Sequence, residues 1–405
     1  MHMQEKWPQW PIWNTEEISM LTKVIESGRW SYNGPMEQQA KDVWCEYINV
    51  PYTYFVSNGT VSIQLALEAL GIGYGDEVLV PGITWQATAA AVVDVNAVPV
   101  IVDVDPESWC IDPQKAEAAI TPRTRAIIPV HLYGSMANMD AITELAKKYH
   151  LFIIEDAAHK QGGKWRDTMA GAIGDIGSFS LQQSKVLTTG EGGILTTSNP
   201  TIAEKIDALR NCGRKPINKV SDAAGGQYGE IGDFIQSGNY RITEMQAALF
   251  ITQFSRLAEQ NKIRSARAAL LDNLLQDIDG ITIMKQDPRE TQRVYFNYAF
   301  SIEPQVIGMD AKNFRETLSE RLGFEASCCY QPLNNCSLYR PLTKKRHHIN
   351  KAYMEAIDPS RFSLPIAEDI YHNRAVTFPH RILLSSERQM YLIADTIRNI
   401  LSPRG

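Results

Sequence analysis

Through roughly the first 200 residues, short β-branched apolar runs alternate with stretches that carry apolar residues at i, i+3 and i+4. The runs at 54–56, 77–80, 98–102, 126–130 and 151–154 are unbroken by polar residues on one face, as strands covered on both faces are. Between them, 61–70 and 139–149 read as crossover helices. Strand, helix, strand repeated in this way can close its core only as an α/β domain with a mostly parallel sheet. Ligands of such sheets sit beyond the carboxyl ends of the strands, so the polar residues that end each run are the candidates for chemistry.

The 405 residues are enough for two or three domains. A hydrophobic share of 44% with 21% charged residues is that of a globular chain and excludes disorder, collagen and coiled coil. Net charge −6, with no basic block, gives a nucleic-acid backbone nothing to bind. Cys45, Cys110, Cys212, Cys328, Cys329 and Cys336 form no CxxC pair, so reduced structural thiols are expected rather than a zinc site. No basic leader precedes an apolar stretch and no long apolar run occurs, which predicts a soluble, cytoplasmic protein without a membrane partner.

From 212 to 238 the chain turns polar and glycine-rich, a long loop suited to a lid or a substrate contact. A long helical pattern over 244–277 follows and is expected to link two domains. Strand-like 294–302 and 324–330 with helix-like 386–401 then suggest a smaller C-terminal α+β domain. The expected division is an N-terminal arm over 1–30, a large domain over 31–260 and a small domain over 261–405.

Three constellations stand out. Ser57-Asn58-Gly59-Thr60 follows a strand and opens a helix, where free backbone N–H groups and the positive helix end suit a phosphate. From these four residues alone, helix capping explains them better. Glu155-Asp156-Ala157-Ala158-His159 ends another strand; its carboxylate suits a pyridine ring nitrogen, a metal or a helix cap equally. Ser178-Phe179-Ser180-Leu181-Gln182-Gln183-Ser184-Lys185 runs into Gly190-Glu191-Gly192-Gly193. Lys185, 29 positions after Asp156 and flanked by small residues, suits a Schiff-base lysine beside a ring-nitrogen carboxylate.

These segments, with Pro81-Gly82-Ile83-Thr84-Trp85, Pro129-Val130-His131-Leu132-Tyr133-Gly134 and Gly238-Asn239-Tyr240-Arg241, occur in an order that resembles the DegT-type sugar aminotransferases. The likeness runs over most of 25–260 and more weakly to the end. It implies a fold type I enzyme of pyridoxal 5′-phosphate (PLP). By that resemblance Lys185 forms the covalent link and later moves protons, and Asp156 holds the pyridine nitrogen. Trp85 stacks on the ring, a core tryptophan being the alternative. Gly59, Thr60 and Ser180 hold the phosphate, and His159 lies near the 3′-oxygen. Asn239 reaches the phosphate of a neighbouring subunit, which implies a homodimer with shared active sites. Lys160 fits no pattern and reads as a surface charge.

Gln182-Gln183-Ser184-Lys185, Trp7-Pro8-Gln9-Trp10-Pro11 and Gly28-Arg29-Trp30 resemble two branches of the family. One transfers the amino group of an amino acid, L-glutamine above all, to keto-cyclitols such as scyllo-inosose; the other is 3-amino-5-hydroxybenzoate synthase. Gln183, Leu187-Thr188 and the run from Pro129 to Asp140 favour the cyclitol branch. Asp156-Ala157-Ala158-His159 and Pro379-His380-Arg381, the latter able to meet a carboxylate, speak for the other. Arg241 and Arg381 are candidates for the donor carboxylate, with structural ion pairs as their alternative. Family dehydratases replace the lysine with histidine and an inactive relative would lose Lys185 or Asp156, whereas both residues are present. A nucleotide-dependent oxidoreductase is disfavoured because no GxGxxG follows the first strand.

Overall fold

A computed structural model of the chain describes residues 6–214 and 235–401. Nine strands lie in its first half: β1 Tyr52–Val56, β2 Glu77–Pro81, β3 Val98–Val102, β4 Thr124–Ile127, β5 Phe152–Asp156, β6 Lys164–Trp165, β7 Thr168–Met169, β8 Ile176–Ser180 and β9 Gly193–Thr197. Seven of them form one sheet in the order β1-β9-β8-β5-β4-β2-β3, while β6 and β7 make a separate ribbon. All neighbours in the large sheet are parallel except those of β9, which runs against both β1 and β8. Strands β2, β8 and β9 are buried along their whole length, which is why their sequences carry no polar alternation.

Helices Gly59–Ala69, Ala87–Asp94 and Met139–Tyr149 are crossovers of this sheet. The parallel strands point the same way, so Ser57–Thr60 after β1, Thr84 and Trp85 after β2, Asp156 in β5 and Ser180 in β8 gather at one edge. Gly59 permits the closest approach there: a Cβ on it would lie 2.8 Å from the Cβ of Ser180.

Three more strands, β10 Ile281–Ile283, β11 Asn297–Ile302 and β12 Ala375–Pro379, form an antiparallel sheet. It carries a second core with Phe300, Phe314, Phe378 and Ile393. The helix Glu244–Leu275 starts with a capping box of Thr243 and Gln246 and joins the cores. Ala247, Phe250 and Leu257 enter the first, and Ala268, Leu271 and Leu275 the second. Residues such as Leu333, Tyr353 and Leu364 return to the first core, although they lie beyond the long helix. The expected strand over 324–330 is replaced by a single bridge between Ser327 and Thr377. Beyond it the chain turns toward the large sheet, where the Tyr330 N–H donates to Tyr133 Oη at 2.8 Å. All six cysteines are free thiols. Among the described residues no helix is long and apolar enough to cross a membrane, and no cluster of metal ligands occurs.

Candidate active site

A cavity of about 760 Å³ opens at the carboxyl edge of the large sheet and is lined by Gly59, Thr60, Trp85, Asp156, Ser180 and Lys185 among others. Asn58 caps the helix behind Gly59 by accepting the Val61 N–H at 2.9 Å. Capping and anion binding are therefore compatible here, since the cap engages one N–H and leaves the helix start facing the cavity.

The two acids that end β5 have different fates because successive strand residues point to opposite faces. Glu155 is fully buried and accepts from the backbone N–H groups of Gly171, Ile173 and Gly174 and from His131 Nε2 at 3.1 Å. His131 Nδ1 accepts the Ala137 N–H, so its proton sits on Nε2. Asp156 faces the cavity. Its Oδ2 accepts from Thr88 Oγ1 at 2.9 Å and its Oδ1 from the Ala158 N–H at 3.2 Å. Burial pushes its carboxyl above the ordinary range, and Thr88, Ala158 and the charge of Lys185 oppose that.

Lys185 is also buried, and its Nζ makes no hydrogen bond with a described residue. It lies 4.2 Å from the ring centre of Phe296. Burial lowers its pKa from 10.5 to about 8, against the pull of Asp156. An amine in that state is readily deprotonated and has its lone pair free for a bond to carbon.

His159 lies between two rings, 3.9 Å from Phe296 and 5.7 Å from Tyr133, both stacked. Its Nδ1 accepts the Tyr133 N–H at 3.2 Å, which leaves the proton on Nε2, 3.3 Å from Tyr330 Oη. Burial holds this imidazole well below its ordinary range, with the charges of Lys185 and Lys160 acting in the same sense, so it is neutral. Trp85 is 47% exposed and lies 5.7 Å from Tyr330 at the cavity wall, so it is not a core tryptophan.

A buried lysine and a buried carboxylate thus share one cavity with a helix start. Residues 11–394 match the model of the DegT/DnrJ/EryC1/StrS aminotransferase family. The chain belongs to this family. Similar relatives include the L-glutamine:2-deoxy-scyllo-inosose aminotransferase of Streptoalloteichus tenebrarius, 37% identical over 98% of this chain and 95% of that protein. The enzyme of the same name from Streptomyces kanamyceticus is 38% identical over 98% and 94%. The L-glutamine:scyllo-inosose aminotransferase of Streptomyces griseus is 38% identical over the same shares. Among solved structures, 3-amino-5-hydroxybenzoic acid synthase superposes with a TM-score of 0.83 at 28% identity, over 98% of both chains. The S. venezuelae DesV protein, solved with a ketimine intermediate, gives 0.80 at 31% over 96% of this chain and 95% of its own. The fold is thus fold type I, with a mostly parallel sheet, and the chain is an aminotransferase-type enzyme.

Within this family site the structure brings together Gly59, Thr60, Trp85, Asp156, His159, Ser180 and Lys185. Asn239 lies outside the cavity of its own chain, bridged to Asn211. Arg241 donates to Asn211 Oδ1 at 2.8 Å and covers the ring of Tyr32, and Arg381 donates to the Pro8 carbonyl at 2.9 Å. Neither arginine lines the cavity, and each is held by a hydrogen bond to an uncharged oxygen and not by an ion pair with a described residue.

Lys160 is a correction of a different kind. It is fully buried, donates to the carbonyls of Gly134 at 2.9 Å and Val294 at 3.1 Å, and pairs with Glu290. The turn after β5 folds it inward against segments 134–136 and 290–294. Sequence reasoning also misses Thr88, Phe296 and Tyr330, which have no motif of their own. The long loop expected at 212–238 lies, over 215–234, outside the described residues.

Proposed function

We propose that this enzyme uses PLP to move the amino group of L-glutamine onto a keto-cyclitol of the scyllo-inosose type. The observation that carries the reading is Lys185, a buried amine with no hydrogen-bond partner among the described residues, in one cavity with Asp156. The names of the relatives at 37–38% identity support the donor and the acceptor class. The donor set fits PLP. The helix start at Gly59 and Thr60, with Ser180, would hold the phosphate. Asp156 would hold the pyridine nitrogen, Trp85 would cover one ring face, and the neutral His159 would sit near the 3′-oxygen.

When bound, PLP supplies an electron sink for charge developing at the donor α-carbon. Asp156, its oxygens fixed by Thr88 and Ala158, would keep a proton on the ring nitrogen. Lys185 Nζ would take the α-proton of the donor and deliver a proton to the cofactor carbon that takes up the nitrogen, acting as base and then as acid, while water releases the donor as its keto acid. The same steps in reverse deliver nitrogen to the acceptor carbonyl carbon. Gln64, Gln182 and Glu191 on the cavity wall offer donors and acceptors to a hydroxyl-rich ring. Arg381 is bound to the arm, so of the two features that favoured the benzoate-synthase branch only Asp156-Ala157-Ala158-His159 faces the cavity.

As part of this reading we place the chain in the cytoplasm as a homodimer, divided into the arm 1–30, the large domain 31–260 and the small domain 261–405. Asn239, turned away from its own cavity, and the exposed Trp13, Ile18, Ile25 and Trp30 support a second copy with shared sites. The test is transfer from L-glutamine labelled with ¹⁵N at the α-amino group, with scyllo-inosose and 2-deoxy-scyllo-inosose as acceptors. A labelled amino-cyclitol is expected. Failure with both acceptors, while another class of ketone is aminated, would overturn the acceptor assignment.

A further inference from the structure

Two motifs of the sequence take no part in the chemistry above: Trp7-Pro8-Gln9-Trp10-Pro11 near the start, and Pro379-His380-Arg381 near the end. The fold brings them together on the residues just ahead of Lys185. Trp10 Nε1 donates to the carbonyl of Gln183 at 2.9 Å, and His380 Nε2 lies 3.0 Å from the carbonyl of Ser184. A carbonyl oxygen only accepts, so His380 carries its hydrogen on Nε2 and donates it there. The two rings meet edge to face at 4.5 Å.

Each partner is itself held. The guanidinium of Arg264, fully buried and bonded among the described residues to the side-chain oxygens of Asn261 and Gln260, lies 5.2 Å from the Trp10 ring centre. Arg381 fixes the Pro8 carbonyl, and Trp7 donates to the Leu322 carbonyl at 2.7 Å while packing on Phe324. The His380 N–H donates to the carbonyl of Phe296, the residue whose ring lies under Lys185 Nζ. Within its own turn Lys185 has one backbone bond, from its N–H to the Gln182 carbonyl at 2.8 Å.

We propose that Trp10 and His380 are positioning residues: a clasp, formed by the N-terminal arm and the small sheet, that fixes the Gln183 and Ser184 carbonyls and so aims Lys185. The inference rests on Lys185 being the reacting amine. An amine that must reach two carbon atoms in turn needs a fixed backbone beneath it, because displacement by about 1 Å can cost two orders of magnitude in rate. The arm at the start of the chain is in this way a working part of the site.

The test uses the full chain with Trp10→Phe, His380→Gln and His380→Phe. Trp10→Phe keeps an aromatic ring and loses the donor; glutamine can still donate to Ser184, whereas phenylalanine cannot. In the PLP-free protein, amide hydrogen exchange over 182–189 is expected to speed up in Trp10→Phe and His380→Phe, with β5 unchanged. In the PLP-loaded protein, kcat is expected to fall about five- to tenfold in those two variants, the size of one lost hydrogen bond. KM for donor and acceptor should stay within about twofold, and His380→Gln should recover most of the loss. Unchanged exchange over 182–189, acceleration spread over both cores, or faster local exchange with unchanged kcat would each overturn the clasp. Lys185→Ala separates the two failures: turnover surviving in it defeats the reading of Lys185, whereas a dead Lys185→Ala beside an unaffected Trp10→Phe defeats the clasp alone.

Discussion

Lys160 and Lys185 are both buried lysines near the carboxyl edge of the same sheet, yet they differ in what surrounds the nitrogen. Lys160 Nζ meets two backbone carbonyls and the carboxylate of Glu290. Lys185 Nζ meets an aromatic face and, at longer range, the charge of Asp156. Burial disfavours the charge of both. For Lys160 the acceptors offset that cost and tie the 134–136 turn to 290–294, so it is part of the scaffold. For Lys185 only Asp156, at longer range, offsets part of that cost, and the amine is held ready for covalent chemistry. Burial alone does not mark a reactive lysine; a buried side chain whose nitrogen opens on the cavity beside Asp156 does.

The contrast breaks most sharply on turnover. Lys185→Ala is expected to lower amino transfer by at least about 10²–10⁴-fold, the usual scale of a positioned proton-transfer group, in a steady-state assay with glutamine and a keto-cyclitol. Turnover within tenfold of the parent would remove Lys185 from the chemistry. Stability should show the reverse order. Lys160→Met strands the Glu290 carboxylate and should cost about 3–5 kcal/mol in urea unfolding of the PLP-free protein. Lys185→Met, which removes a buried charge that only Asp156 balances at longer range, should leave the unfolding midpoint equal or higher. Equal losses for the two would erase the distinction.

Asp156→Asn should slow the half-reaction with glutamine by about a hundredfold, in line with the loss of one preorganised charged group. An unaltered rate, read by stopped-flow absorbance, would remove Asp156 from the ring nitrogen. The smallest effect concerns pH. Lys185 titrates near 8 in the folded chain and near 10.5 when unfolded, so between those values the unfolded state binds more protons. Stability of the PLP-free protein should therefore rise with pH across that window, by an amount that Lys185→Met abolishes. A slope that survives the substitution would place its origin elsewhere.

The parallel sheet and most of the cavity were legible in the sequence because both rest on local features. Strands covered on two faces read as unbroken β-branched runs, and the strand ends carry Gly59, Asp156 and Ser180 at the turns themselves. Phe296 and Tyr330 were not legible, since they reach the site by tertiary packing from beyond the long helix. Lys160 was misread for the same reason: its acceptors come from two segments distant in sequence, and a lone lysine in a turn otherwise points to water. Arg381 resembled a carboxylate anchor until the arm supplied the carbonyl it binds. The apolar content of 324–330 suggested a strand, but only Ser327 pairs with β12 before the chain leaves for the cavity.

The most direct test is the absorbance of the PLP-loaded protein mixed with L-glutamine in the absence of any acceptor, recorded for the parent and for Lys185→Ala. Full conversion of the cofactor to its aminated form in the parent, and none in Lys185→Ala, is the expected result. Conversion that does not need Lys185, or a parent that no amino acid converts, would contradict amino transfer through this lysine.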